Sequence, residues 1–250
     1  MSFYLFSEDY GRIVSRMEQF RIGSFYGLDQ IAKQACSKCG RRRMYFCYDC
    51  RRYMPSVFEL APLVELPVKI DIIKHKKEKN SKSTAVQCLL LAPFSTTVYD
   101  APTLPDYDGT IDEKVVRVVL KAIVYPSPEA KHIADFIREN GSIDRFVFPD
   151  ATWFQVGGLL SLQQLQKLPQ VRLKSYKTLY WRPQKGCSDE YLATVEAVYY
   201  AVRENYEVVN STPYDGRFDN LLFWFLYFRK MVGNSHTKKK WDLQKGLNDK

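Results

Sequence analysis

No run of this 250-residue chain approaches the roughly 20 consecutive apolar residues that a membrane-spanning helix requires. The most apolar stretch, Leu221 to Phe228, is short and stops at Arg229 and Lys230. The N-terminus lacks a basic segment followed by an apolar core, so no secretory signal is expected and the chain is expected to work inside the cell. Internal repeats are missing as well. Acidic residues are in short supply: 28 Asp and Glu face 37 Lys and Arg, a formal net charge of +9. That imbalance favours a polyanionic partner, because clustered cations gain affinity by displacing phosphate counterions. A merely solvated basic surface is the plainer alternative. Charged residues, at 26%, are too few for a disordered chain, and 46% hydrophobic residues suffice for a sizeable core.

The six cysteines, in a reducing setting, read first as metal ligands or free thiols. Four of them form two knuckles, Cys36-Ser-Lys-Cys39 and Cys47-Tyr-Asp-Cys50, with seven residues between them. Each knuckle turns back to offer both sulfurs to one ion, so the pair supplies a complete tetrahedral set for a structural zinc. Four protein ligands leave no open position for water, which argues against a catalytic metal. Lys33, Lys38, Arg41, Arg42, Arg43, Arg51 and Arg52 crowd the knuckles, interleaved with Tyr45, Phe46, Tyr48 and Tyr53. Cations beside aromatic faces suit phosphate contact and base stacking. Cys88 and Cys187 stand alone and are expected to be packing residues or free thiols.

After Pro55, short β-rich runs alternate with helical spacing. Strands are expected at Lys69–His75, Val115–Tyr125, Arg145–Phe148 and Val171–Tyr176. Helices are expected at Ser83–Leu91, Ala130–Glu139, Gly157–Lys167, Leu192–Tyr206 and, capped by Asp219, through Met231. Such alternation predicts an α/β fold with a mostly parallel sheet. Three segments follow: a lead-in and four-cysteine module over 1–55, a catalytic domain over 56–233, and a basic polar tail over 234–250. The Lys-rich stretch from Lys69 to Lys82 sets His75, Glu78 and Lys82 near the end of the first strand. Phe148-Pro-Asp150-Ala-Thr152-Trp153 follows an apolar strand, where α/β sheets gather ligands at the carboxyl ends. Taken alone, the block is better read as a helix N-cap at Asp150 with Trp153 in the core.

Asp150-Ala-Thr152-Trp153 resembles the D-x-T-W signature of the DTW-domain family, and the similarity continues along the chain. HKKEKNSKSTA (75–85), LKSYKTLYWRPQKG (173–186), LATVEAVYY (192–200) and YDGRFDNLLFWF (214–225) resemble its other blocks in order, behind similar paired knuckles. The chain departs from the family pattern at Tyr176, where Arg is usual, and at Ala193, where Ser is. The resemblance implies a SPOUT-like domain with a deep C-terminal knot. It also implies a tRNA-uridine aminocarboxypropyltransferase of the type that acts in the tRNA D-loop, with the nucleus the expected compartment before the cytoplasm. Such an enzyme moves the 3-amino-3-carboxypropyl arm of S-adenosylmethionine to uridine N3 and releases methylthioadenosine. Asp150, Thr152 and Trp153 are then the catalytic candidates, Asp150 as general base or as cofactor anchor. Thr178, Thr194, Glu196 and Trp153 are cofactor-binding candidates. His75, Glu78, Lys82, Thr84, Arg41, Arg42, Arg43 and Arg182 are candidates for holding the RNA. tRNA is the expected partner, and no obligate protein partner is evident. A SPOUT-type RNA methyltransferase and a non-catalytic zinc-ribbon RNA-binding protein are the alternatives.

Overall fold

Alternating apolar residues build the frame. The structure, a computed structural model, describes residues 14–108, 111–112, 117–182, 186 and 188–233; Cys187 and the expected tail at 234–250 lie outside them. In chain order the main elements are β1 (Lys69–Lys74), α1 (Ala85–Leu91), β2 (Thr96–Asp100), β3 (Lys121–Val124), β4 (Lys131–His132), α2 (Ile133–Asn140), β5 (Arg145–Asp150), α3 (Val156–Leu160), α4 (Gln163–Gln166), β6 (Gln170–Arg172), α5 (Thr194–Asn210) and α6 (223–233). The six strands form one sheet in the order β4-β6-β3-β5-β1-β2, every neighbouring pair parallel. A parallel sheet must be covered on both faces, and the side-chain period of two sorts its residues accordingly. Ile70, Ile72, Phe146 and Phe148 join α1, α2, α5 and α6 in the larger core. Ile73, Ile123 and Val147 meet Leu159 and Leu165 on the other face. Among the described residues, no helix is long and apolar enough to cross a membrane.

Several expected elements come out differently. The strand expected from Val115 is confined to Lys121–Val124; residues 113–116 lie outside the described set, and Arg117–Val118 pairs instead with Ile111–Asp112 in a hairpin. The single helix expected over Gly157–Lys167 is two, α3 and α4, joined through Leu162 in an extended conformation (ψ 130). Leu159 and Leu165 stand about 120° apart on a continuous helix of 3.6 residues per turn. The break lets both reach the sheet, and Gly157-Gly158 makes it inexpensive. Beyond Arg172 the chain leaves the sheet and lies on α5: Lys174 N donates to Glu204 Oε1 at 2.9 Å, and Tyr176 stacks on Tyr200 at 3.7 Å. Asp219 does not cap a helix with its side chain. It is buried, accepting from the amide of Arg21 (2.7 Å) and the hydroxyls of Tyr199 and Tyr214 (2.8 Å each), and so ties the lead-in to the core.

The knuckles pack directly on α6. Trp224 Nε1 donates to Tyr53 Oη at 3.0 Å, Tyr45 and Tyr227 share a hydroxyl bond of 2.8 Å, and Cys47 and Met54 belong to the same buried cluster as Leu221 and Trp224. Arg51, in the left-handed region at φ 53, reaches β2 with both oxygens of Asp100 at 2.6 Å and the carbonyl of Val98 at 3.0 Å.

Candidate active site at the carboxyl edge of the sheet

Asp150 is the last residue of β5, paired in register with Lys74, the last of β1. Strand alternation turns it toward the larger core, as it does Phe146 and Phe148, and the side chain is only 3% exposed. Two hydroxyls hold it. Ser83, just before α1, donates to Oδ2 at 2.7 Å, and Thr194, the first residue of α5, donates to Oδ1 at 2.5 Å. The carboxylate thus lies where two helices begin, and a hydrogen bond from Val195 N to Thr84 Oγ1 (3.1 Å) ties those two starts together. Helix N-termini favour an anion. Burial acts the other way and raises the carboxyl above its ordinary pKa, against the lowering effect of the Thr194 and Ser83 hydroxyls and of the charges on Lys74 and Arg51. The result is a carboxylate of raised basicity with lone pairs to spare beyond its two hydroxyl bonds.

Two cavities meet beside this residue, which lines the second of them. The first, about 490 Å³, opens beyond the ends of β3 and β6 and is walled by Tyr125, Trp153, Tyr191 and Tyr176, with His132, Arg172, Lys174, Ser175 and Glu190 among its polar members. Ser175 Oγ donates to Glu190 Oε1 at 2.5 Å. The second, about 590 Å³, is lined by Asp150, Thr152, Glu78, Thr84 and Arg182, with Lys77, Lys79 and Lys82. Ala151, Trp153, Leu192 and Thr194 line both. Trp153 therefore stands in the partition, stacked on Tyr191 at 4.5 Å and 25°. In the second cavity burial and the neighbouring charge of Asp150 both raise the Glu78 carboxyl.

The other expected residues are distributed unevenly. His75 is half-buried and takes the amide of Lys77 on Nδ1 at 3.2 Å; it lines neither cavity. Thr178 and Glu196 bind one another. Glu196, 2% exposed, accepts from Thr178 Oγ1 (2.6 Å) and the amides of Leu179 (2.7 Å) and Ala193 (2.8 Å), and neither residue lines the two cavities. Arg41 and Arg43 both pair with Asp49 at 2.8 Å, while Arg42 reaches the carbonyl of Lys33 at 3.2 Å. Asp49 also accepts from Asn80 at 3.0 Å, which moors the loop after β1 to the knuckles. Cys88 is buried in the core. Sequence reasoning overlooked Ser83 as a partner of Asp150, and it overlooked Tyr125, Ser175, Glu190 and Tyr191 as cavity walls. Tyr125-Pro126 at the end of an apolar strand carried the same carboxyl-end signal as Asp150.

The four knuckle sulfurs lie within 4.8 Å of one another, and Cys39 and Cys47 are 3.7 Å apart. Tetrahedral Zn–S bonds of about 2.3 Å require sulfurs roughly 3.8 Å apart, so the set fits one such ion.

The DTW domain model matches residues 44–233. A mouse protein named tRNA-uridine aminocarboxypropyltransferase 1 is 34% identical over 82% of this chain and 79% of its own. The human protein of that name is 33% identical over the same shares. A solved structure, the SAM-dependent rRNA:acp-transferase Tsr3 from Vulcanisaeta distributa, aligns over 68% of this chain and 85% of its own, with a TM-score of 0.38 and 15% identity. On the extent of the domain match and the level of identity, this chain belongs to the DTW-domain family.

Proposed function

We propose that this chain transfers the 3-amino-3-carboxypropyl group of S-adenosylmethionine to N3 of a D-loop uridine in tRNA, releasing methylthioadenosine. The curated relatives are named tRNA-uridine aminocarboxypropyltransferase 1, which gives the transferred group and the tRNA uridine. The observation that carries the proposal in this molecule is a buried carboxylate of raised basicity in a cationic cavity that shares a wall, through its neighbours Ala151 and Trp153, with an aromatic one. The first cavity fits the cofactor. Its volume is in the usual range for ligand sites, its aromatic walls suit an adenine, and Glu190 offers a carboxylate to an ammonium group. The second fits a nucleotide: Lys77, Lys79, Lys82 and Arg182 suit its phosphates. The SPOUT-like, knotted form of the domain and a structural zinc on Cys36, Cys39, Cys47 and Cys50 belong to the same proposal.

When bound, S-adenosylmethionine supplies a carbon made electrophilic by its sulfonium. The chain has to present the uridine nitrogen and remove its proton. Asp150 takes the N3 proton, since its raised basicity narrows the gap to a weakly acidic imide. Ser83 and Thr194 fix the carboxylate so that it does not reorganise during transfer. Trp153 and Leu192, common to both cavities, set the line of approach and exclude water. Thr178 and Glu196 act as a frame that seats the start of α5, and hence Thr194, against Asp150.

Label tracing tests this directly. Cofactor labelled at the carboxyl carbon should mark tRNA, and cofactor labelled at the methyl should leave it unmarked. The opposite pattern would establish a methyltransferase, and marking by neither would favour a binding protein.

A further inference from the structure

A third cavity, about 380 Å³, adjoins the cationic one, and the two share Lys82, Ser83, Thr84, Tyr180 and Arg182. Its walls come from three separate parts of the chain: Tyr48 in the second knuckle, Trp181, and Phe228 of α6. The Arg43 guanidinium rests over the Tyr48 ring at 4.2 Å and holds it in place. Gln87 of α1 also lines the cavity. That side chain is 5% exposed, and its Oε1 is buried without a hydrogen-bond partner. Buried amide oxygens are nearly always satisfied, so an orphan on a side chain that lines a cavity marks a position where a ligand donor belongs once the amide turns toward it. Arg182 points the same way: Nη2 reaches the carbonyl of Ser81 at 3.3 Å, whereas Nη1 is buried and unpartnered.

We infer that this cavity is a second nucleobase subsite, seating the base of a nucleotide that flanks the target uridine, with Gln87 reading that base's edge. The inference rests on the RNA-uridine function proposed above. Aromatic faces such as Tyr48 and Trp181 stack any base and give affinity without sequence preference. A carboxamide adds preference, because it presents an acceptor and a donor side by side and matches a base edge carrying the complementary pair, as adenine does. Lys82 and Arg182, common to both cavities, are placed for the phosphodiester that joins the two nucleotides. The position therefore determines which uridines are accepted, whereas Asp150 determines what is done to them.

The test uses the full chain and a tRNA substrate in which each nucleotide flanking the modified uridine is changed to the other bases. At one flanking position the wild type should discriminate between bases by roughly 5- to 150-fold in kcat/KM, the worth of one bidentate amide contact. In Gln87→Met, which keeps side-chain length, the rates on the different bases should converge. Tyr48→Leu should weaken binding of all of them alike. A Gln87→Met enzyme with undiminished preference overturns the subsite, as does loss of the preference when residues 234–250 are removed from an otherwise wild-type chain. Fluorescence of 2-aminopurine at the flanking position reads the subsite without catalysis. Quenching by wild type that Tyr48→Leu diminishes and Gln87→Met retains supports the subsite even if label transfer fails, and its absence in a binding-competent complex refutes the subsite even if transfer succeeds.

Discussion

At the scale of single residues, Asp150 combines two opposed demands. Burial favours its neutral form, while catalysis needs the ionised one. A carboxyl whose folded pKa is raised binds a proton more tightly in the native state than in the unfolded chain. Its contribution to stability is complete below the unfolded pKa and is lost as pH rises through the folded one. The same rise in pH switches on the base, so activity and stability should move in opposite directions across that window. Asp150→Asn removes the proton acceptor and keeps the shape, and the Ser83 or Thr194 hydroxyl can turn to accept from the new amide. We expect transfer to slow by roughly 10²–10⁴-fold with cofactor affinity retained, and the defect to shrink at high pH, where more N3 ionises unaided. Thermal unfolding at neutral pH should show the variant no less stable than wild type. If saturating cofactor restores the rate, Asp150 is an anchor and not the base. Near-normal transfer at neutral pH removes it from the mechanism.

Among the elements, those with one uninterrupted pattern were legible and those shaped by the cavities were not. Helix α5 shows a helical period long enough to be read, differing in its start at Thr194 and its end at Asn210. β5 is a continuous apolar run, and its Asp150 is legible as a carboxylate at the carboxyl end of such a strand within the D-x-T-W pattern. By contrast, Val171–Tyr176 has strand composition throughout. Only contact with α5, through Glu204 and Tyr200, lifts its second half off the sheet to line the first cavity. The orphaned oxygen of Gln87 is likewise a property of packing and leaves no trace in residue order. Glu196 shows how a residue's role depends on which element its neighbours belong to. It was expected to touch cofactor, yet three donors already converge on it. Glu196→Ala strands two buried amides and a hydroxyl. The loss should be at least about 3 kcal/mol, or a fall in Tm of roughly 6–12 °C. Glu196→Gln keeps the size, and if Glu196 is a frame its cofactor affinity in calorimetry should match wild type. A large loss of affinity in a well-folded Gln variant would return Glu196 to the cofactor.

For the whole molecule, the distribution of charge matters more than its total of +9. The knuckle arginines stood out in the sequence, but Arg41 and Arg43 spend their charge on Asp49, which binds the module to itself and, through Asn80, to the loop after β1. Lys77, Lys79 and Lys82 on that loop line the Asp150 cavity, where Lys82 has an acidic neighbour in Glu78, and none of the three is in a salt bridge among the described residues. Counterion release depends on cations that can reach phosphate, and each such contact to single-stranded RNA contributes about 0.7 to the slope of log affinity against log salt. Replacing the three lysines by Ala should therefore lower the slope for tRNA by about 2. Replacing Arg41 and Arg43 by Ala should lower it by less than about 1, because their charge is already spent on Asp49 and little of it reaches phosphate. Cofactor affinity, measured without RNA, should be unchanged in the lysine variant, since none of the three lines the aromatic cavity. Titrations of labelled tRNA at several salt concentrations separate the two surfaces. A steeper loss from the arginine pair than from the lysines would move the RNA path off the Asp150 edge and onto the knuckles, and with it the geometry on which uridine presentation depends.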